Sequence, residues 1–379
     1  MNVLIAGGGT AGHVFPALAV AGRLRELGHV VRFVGTRSGP EARLVPAAGF
    51  DFEEIESSPL VRKMSPRALA APVVAARSVR RCRPLVEASD VVLGMGGYVS
   101  VPAALAALSG RRALILHEQN AVPGLANRVL ARLARLVTLS FAEAARAFPR
   151  RTRTFVTGNP VREEIRSVPA ERDRLAKEAA GELELDPARR TIVVFGGSQG
   201  ALHLNRSVVD AVARLRSDDL QVLLLSGRAH ADPVRRGLGE SPSIPVRVVP
   251  FLDRMELAYA IADLVVARAG ATTVAELAVC GLPSLLVPYP YATGRHQEAN
   301  ARALRRAGAA AMLLDDELDG PTLAERIHTL LADVDTLRTM GERARAWSRP
   351  EASEVLADVV LEAAVGGARG ARPGGERAR

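Results

Sequence analysis

The sequence predicts an α/β protein of two domains, each built around a parallel sheet, and three observations carry that expectation. Short apolar runs at residues 3–6, 91–93 and 191–195 each end in a glycine loop that opens a helix, which is how a strand feeds a helix in a βαβ unit. The plan that starts at Val3 starts again at Thr191. The chain has 379 residues, too many for one core at roughly 100 to 200 residues per domain. With 48% hydrophobic and 24% charged residues, it carries enough apolar surface to offset chain entropy.

Taken in order, Val3-Leu4-Ile5-Ala6 runs into Gly7-Gly8-Gly9-Thr10-Ala11-Gly12-His13, then helical periodicity continues through Leu18, Leu24 and Leu27 until Gly28 closes it. Residues 30–34 resume strand character, so the opening is a βαβ unit. Residues 60–85 hold Arg62, Lys63, Arg67, Arg77, Arg80, Arg81 and Arg83 without one acidic residue, while Leu69, Val73, Ala76 and Val79 recur at helical spacing. A basic rim around an apolar stripe suits contact with an anionic membrane surface; the plainer reading is a core-facing helix with solvated arginines. Asp90-Val91-Val92-Leu93 leads into Gly94-Met95-Gly96-Gly97-Tyr98 and a helix whose early Pro102 suits a first turn. The strand at 113–116 ends in His117-Glu118-Gln119-Asn120.

A hinge is expected near Gly158-Asn159-Pro160, giving a first domain of residues 1–160 and a second of 161–350. Residues 170–190 read as a charged helix and connector. In the second domain the run at 191–195 enters Gly196-Gly197-Ser198-Gln199-Gly200, and strands follow at 221–225, 246–249, 263–267 and 284–287. The tail, 366–379, is rich in Gly and Arg without apolar periodicity, a composition that predicts disorder.

Charge is unevenly placed. Of a net +9, residues 1–160 carry 21 basic and 10 acidic side chains and the rest of the chain 29 and 31, so the first domain is the one suited to an anionic partner. Nucleic acid is a poor candidate, because aromatic residues make up 4% of the chain and no stacking motif accompanies the charge. Cys82 and Cys280 are too isolated for a disulfide framework or structural zinc and read as core thiols. Asp333-Val334-Asp335 is the one Asp-x-Asp spacing, and it falls in a helical stretch, so it reads as solvated surface and no metal site is expected. Met1-Asn2 passes straight into a strand with no basic leader, and no apolar run approaches the roughly 20 residues that cross a bilayer. A cytoplasmic protein is expected.

The glycine loops point to diphosphates, since backbone N–H groups at a helix N-terminus make an anion site. One loop in each domain would suit a reaction between two diphosphate-bearing substrates. Gly7, Gly9 and Gly12 match the GxGxxG spacing, but the second strand ends Phe33-Val34-Gly35-Thr36-Arg37 without the carboxylate that a NAD ribose requires; NADP through Arg37 is the remaining dinucleotide option. His13 follows the first loop, where a neutral imidazole can take a proton from an acceptor hydroxyl. Glu118 and Asn120 lead the polar cluster at a strand's carboxyl end. In Arg268-Ala269-Gly270-Ala271-Thr272-Thr273-Val274-Ala275-Glu276, a carboxylate about one turn into a helix can accept both hydroxyls of a ribose; its plainer role is favourable charge near a helix N-terminus.

These segments resemble the MurG family of undecaprenyl-diphospho-muramoylpentapeptide N-acetylglucosaminyltransferases. The likeness rests on GGGTAGHVFPALAVA from Gly7, VVLGMGGYVSVPAALAA from Val91, HEQNAVPGLANR from His117, GNPVR from Gly158, GGSQGA from Gly196, RAGATTVAEL from Arg268 and HQEANA from His296. It implies a GT-B fold, two Rossmann-like domains facing across a cleft, with a helix at 351–365 returning to the first. By the resemblance the first domain holds lipid I, with Gly9, Gly96, Gly97 and Tyr98 at the acceptor, and the second holds UDP-GlcNAc. Thr10, Ala11, Gly12 and Asn120 would meet the donor sugar; Arg162 and Ser198 its phosphates; Leu252 the uracil. Ala271, Thr272, Thr273, Val274 and Ala275 would line the diphosphate and sugar, Glu276 take the ribose and Gln297 reach the sugar hydroxyls.

The implied reaction is inverting and needs no cofactor, with UDP-GlcNAc a substrate, and His13 or Glu118 is the base. His296 departs from the second Gln of some members. The resemblance also implies a peripheral enzyme at the cytoplasmic face of the plasma membrane, in contact with other cell-wall synthesis proteins. Rival readings are a diacylglycerol galactosyltransferase, a UDP-GlcNAc 2-epimerase and, outside enzymes, a basic nucleic-acid-binding protein.

Overall fold

The computed structural model describes residues 1–56, 66–197 and 201–366, with the side chains of 66–73 left aside. The chain divides into two units: Met1–Arg162 with the segment from Arg349 onward, and Glu163–Ser348. The division falls two residues past the expected hinge. Gly158, Asn159 and Pro160 are buried within unit 1, because Asn159 joins a polar network there and Gly158, at φ +84°, leaves no room for a side chain beside Arg349.

Unit 1 runs β1 (Asn2–Ala6), α1 (Ala11–Glu26), β2 (Val30–Thr36), α2 (Glu41–Ala47), β3 (Asp51–Ile55), α3 (Pro66–Glu87), β4 (Val91–Gly94), α4 (Ser100–Ser109), β5 (Ala113–Glu118), α5 (Leu125–Leu130), β6 (Leu136–Leu139) and β7 (Thr154–Val156). Its seven strands are all parallel, in the order β3-β2-β1-β4-β5-β6-β7. Alternate residues of β1 serve opposite faces, as strand geometry requires. Val3 and Ile5 join a core with α1, while Leu4 and Ala6 join one with Cys82, Val86, Ala103 and Ala107 of α3 and α4. Covering both faces is the rule for parallel sheets and explains the continuous apolar runs.

Unit 2 runs α6 (Glu163–Arg166), α7 (Val168–Glu182), β8 (Arg190–Phe195), α8 (Leu202–Val212), β9 (Leu220–Leu225), α9 (Ala231–Leu238), β10 (Val246–Val249), α10 (Met255–Ile261), β11 (Ala262–Ala267), α11 (Ala271–Cys280), β12 (Ser284–Leu286), α12 (His296–Arg306), β13 (Ala311–Met312), α13 (Gly320–Ala332) and α14 (Val334–Trp347). The sheet order is β10-β9-β8-β11-β12-β13, again all parallel. The last helix, α15 (Ala352–Val365), belongs to unit 1: Leu356, Ala357, Val360 and Ala363 pack with Val14, Ala17, Val20, Ala21 and Leu24 of α1.

Two expectations change. Val79 is half-buried against the core with Cys82 and Val86, one inward face of α3 at helical spacing, so it is no membrane contact, whereas Ala76 is exposed. The side chains of Leu69 and Val73 lie outside the described residues, as does the tail beyond 366. Asp333 is an N-cap, accepting from the Thr336 N–H at 2.8 Å, so the Asp-x-Asp spacing straddles the start of α14. Among the described residues no helix is long and apolar enough to cross a membrane, and no three His, Cys, Asp or Glu side chains gather as a metal site.

Candidate functional site

Sheet order reverses between β1 and β4 in unit 1 and between β8 and β11 in unit 2. In such sheets ligands bind beyond the carboxyl ends of the strands at the reversal. The glycine-bearing loops singled out in the sequence are the segments that leave these four strands.

In unit 1, β1 delivers Gly7, Gly8 and Gly9; exposed Thr10 is the N-cap of α1, and Ala11, Gly12 and His13 form its half-buried first turn. The loop after β4 lies against it. A Cβ on Gly7 would stand 2.8 Å from that of Met95, and one on Gly97 would stand 3.1 Å from the Gly8 carbonyl oxygen. The His13 ring runs along the same loop, 3.3 Å (Cε1) from a Cβ placed on Gly96 and 3.7 Å (Nε2) from one on Gly97. Gly96 and Gly97 hold φ of +92° and +76°, which glycine adopts without steric cost, so any side chain there would strain the turn and press on the imidazole. Tyr98 lies over Gly9, its Cε1 3.2 Å from where a Cβ on that glycine would stand.

Glu118 is 3% exposed at the end of β5. Its Oε1 accepts from the Asn120 N–H at 3.0 Å; its Oε2 accepts from the Gly124 N–H at 3.1 Å and from Asn127 Nδ2 at 2.8 Å. Burial raises its pKa, against the pull of those donors. Asn127, which the sequence reading passed over, ties this carboxylate to the first cluster, since a Cβ on Gly96 would lie 3.8 Å from its Nδ2. Below them, His117 is wholly buried, and its pKa is lowered to about 4, by burial first and to a lesser extent by the charge of nearby His13. Thr138 Oγ1 donates to the Leu116 carbonyl at 3.2 Å and lies 3.0 Å from His117 Nδ1, while His117 Nε2 lies 3.3 Å from Ser140 Oγ and 3.4 Å from Asn159 Oδ1. Arg162 stacks over Phe15 of α1 at 4.2 Å.

Glu41 was also missed. It is fully buried; its Oε2 accepts from the Gly9 N–H at 3.0 Å, and its Oε1 from the Thr36 N–H at 3.0 Å and hydroxyl at 2.6 Å. The expectation that the first loop offers its amides to a diphosphate is corrected at Gly9, whose N–H is already taken by a carboxylate. A dinucleotide pyrophosphate would meet the same obstacle.

In unit 2, Gly270 is an extended N-cap for α11. Buried Asn300 donates to the Ala269 carbonyl at 3.1 Å, and buried Arg268 donates to the carbonyls of Val287 and Pro288 and pairs with Asp315 at 2.5 Å, so the loop is pinned from two sides. Thr272, Thr273 and Ala275 are half-buried and Ala271 is 7% exposed. Val274 is a correction: its side chain shares the inward face of α11 with Leu277 and Ala278, and its N–H closes the helical bond to the Gly270 carbonyl. Glu276, 6% exposed, accepts from the Tyr259 hydroxyl at 2.7 Å.

Gln297, in the first turn of α12, accepts from the Tyr289 N–H at 3.0 Å, while beside it His296 meets the Thr293 carbonyl at 2.8 Å and is lowered in pKa by burial. Leu252 stands apart beyond edge strand β10, with β9 and β8 between it and β11. Ser198 lies outside the described residues.

Known proteins match this arrangement end to end. The glycosyltransferase family 28 N-terminal domain matches residues 3–139 and the glycosyltransferase family 28 C-terminal domain residues 191–356. The UDP-N-acetylglucosamine–N-acetylmuramyl-(pentapeptide) pyrophosphoryl-undecaprenol N-acetylglucosamine transferase of Halothermothrix orenii is 39% identical over 97% of this chain and all of its own, and that of Halorhodospira halophila 45% identical over 96% and 99%. The crystal structure of Acinetobacter baumannii MurG is 30% identical, with a TM-score of 0.74 over 95% of this chain and 99% of that one. With two parallel-sheet units of the GT-B class and identity of this extent along its length, the chain belongs to the MurG family of glycosyltransferases.

Proposed function

We propose that this protein transfers N-acetylglucosamine from UDP-GlcNAc to the muramoyl C4 hydroxyl of lipid I, an undecaprenyl-diphosphate-linked muramoyl-peptide, with inversion, giving lipid II for peptidoglycan. One observation carries the reading: His13, the Gly96–Gly97 turn and the Glu118–Asn127 pair cluster at the sheet reversal of unit 1, in a chain whose relatives are named for that transfer. His13 takes the C4 hydroxyl proton as that oxygen attacks the anomeric carbon. The new C–O bond forms as the bond to the UDP oxygen breaks, and the electron pair leaves on the β-phosphate. His13 is preferred to Glu118 as the base because the Glu118 carboxylate is buried with both oxygens accepting hydrogen bonds, which suits holding the loop after β5.

Unit 1 takes the acceptor against Gly9, Gly96, Gly97 and Tyr98. Unit 2 takes the donor, with the leaving diphosphate at the N-terminus of α11, the ribose at Glu276 and sugar hydroxyls at Gln297. A helix N-terminus concentrates positive potential where that charge develops, and Arg162 supplies a further cation. The reaction uses UDP-GlcNAc as substrate and calls on no other group.

The protein works peripherally at the cytoplasmic face of the plasma membrane. Support for this lies on one flank of unit 1, where Leu125, Val129 and Leu133 are 59%, 54% and 49% exposed and recur every four residues beside exposed Arg128 and Arg132. Apolar side chains within a basic border are what an anionic lipid surface retains.

The test is UDP release with a lipid I analogue, with diacylglycerol and with no acceptor. Release with the lipid I analogue alone is expected. Transfer to diacylglycerol, or conversion of UDP-GlcNAc without an acceptor, overturns the reading.

A further inference from the structure

Glu41 occupies a cradle made for it. A Cβ on Gly8 or on Gly39 would collide with its carboxylate, and one on Gly35 would stand 2.6 Å from its Cγ. Those glycines come from the loop after β1, from β2 and from the turn before α2, so three separate segments give up side chains to admit one. The carboxylate is 0% exposed, and its three described hydrogen bonds come from neutral donors, Gly9 N–H, Thr36 N–H and Thr36 Oγ1. Burying a charge on neutral donors costs free energy unless the bonds are well made. A core that needed only filling would use an apolar residue here.

What the carboxylate grips is the residue just before the N-cap of α1. Gly9 has φ +81° and lies under Tyr98; Thr10 caps α1, and its carbonyl accepts from the N–H of His13 at 3.0 Å. The glycine loop is therefore anchored from below by Glu41 and covered by Tyr98, and its far end sets where the His13 ring meets the Gly96–Gly97 turn.

We propose that Glu41 is a positioning residue for the transfer reaction: by holding the Gly9 amide in the Gly8–Gly35–Gly39 cradle, it fixes the start of α1 and so the placement of His13. It also fills with a side chain the amide that a substrate phosphate would otherwise claim, leaving Gly9 a contact surface and no anion donor. This rests on His13 being the base, so His13→Ala is measured alongside.

The test compares Glu41→Gln and Gly39→Ala with the parent in the full-length enzyme, with turnover normalised to UDP-GlcNAc binding sites counted by titration. Gly39 is not in the left-handed region, and the three atoms nearest an added Cβ all belong to the Glu41 carboxylate. Its substitution therefore dislodges the carboxylate without altering the glycine loop, and serves if the first variant does not fold. A displacement of catalytic geometry by about 1 Å can cost a hundredfold in rate. Each variant is expected to lose about tenfold to a hundredfold in kcat per site, with KM for UDP-GlcNAc within twofold of the parent. In the Gly39→Ala/Glu41→Ala pair the loss should equal that of Glu41→Ala alone, because no carboxylate is left to displace.

A purely structural role lowers the thermal midpoint and the number of binding sites but leaves kcat per site unchanged, and that result overturns the proposal. If His13→Ala retains turnover, the assignment of the base fails. If His13→Ala is dead while Glu41→Gln and Gly39→Ala turn over normally, only the role of Glu41 fails.

Discussion

Units 1 and 2 put a glycine loop and a helix start at the same point of the same kind of sheet, yet they furnish that point in opposite ways. In unit 1 the chain's own carboxylate, Glu41, reaches the loop and takes the Gly9 amide, while a half-buried imidazole lies along a turn of two left-handed glycines. In unit 2 the cation Arg268 is drawn beneath the loop by Asp315 and two carbonyls, and the carboxylate Glu276 is set more than a turn into α11, tied to Tyr259. A parallel sheet supplies amides at its reversal. Whether they bind a phosphate depends on whether a carboxylate of the protein reaches them first. The difference supports the proposed assignment of proton chemistry to unit 1 and of the nucleotide to unit 2.

The sharpest way to break that assignment is His13→Ala. Turnover should fall by about a hundredfold to ten-thousandfold, the range of general base catalysis, with UDP-GlcNAc affinity within twofold. Steady-state rates beside donor titration check it, and retained turnover would remove His13 from the chemistry.

Next in size is an acid instability centred on unit 1. His117 titrates at about 4 in the folded protein against 6.5 unperturbed, so between these values the unfolded chain binds the extra proton and stability falls as pH falls. The whole shift corresponds to about 3 kcal/mol, lost across that window. Chemical denaturation at stepped pH should show the slope, His117→Asn should flatten it, and hydrogen exchange should place the loss in unit 1 more than in unit 2.

Glu276→Ala probes the other side. Donor binding should weaken by about tenfold to a hundredfold, the cost of losing charged hydrogen bonds, with kcat nearly unchanged, as calorimetry and initial rates would reveal. Unaltered donor affinity would take the ribose away from Glu276. The smallest effect is expected at the lipid surface, where Leu125→Ser with Val129→Ser should reduce binding to anionic vesicles by about tenfold and leave binding to neutral vesicles weak; co-sedimentation measures both.

Much of this was legible in the residues. The glycine loops, the helix that follows each and the polar run at 117–120 are local signals, and local signals survive folding. Strands were found at short, mostly apolar runs, while β3, β6, β7 and β13 are too short or too mixed to stand out. Glu41 was missed because half of its cradle, Gly8 and Gly9, lies in a segment that meets it only in three dimensions. An acid directly after Gly39-Pro40, in a stretch with spare glycines on both sides, was the available hint. Val79 was placed by helical spacing and Val274 by the family resemblance, and neither says which side of a helix the sheet will claim. Gly158-Asn159-Pro160 reads as a flexible joint until Asn159 is seen beside His117.

The last helix has a consequence for how the molecule is made. When a ribosome has released Ser348, every residue of unit 2 is free to fold, but unit 1, whose first strand emerged long before, still lacks α15. Until Leu356, Ala357, Val360 and Ala363 arrive, the part of the α1 surface that they cover stays bare to water, and the half of the protein synthesised first is the half completed last.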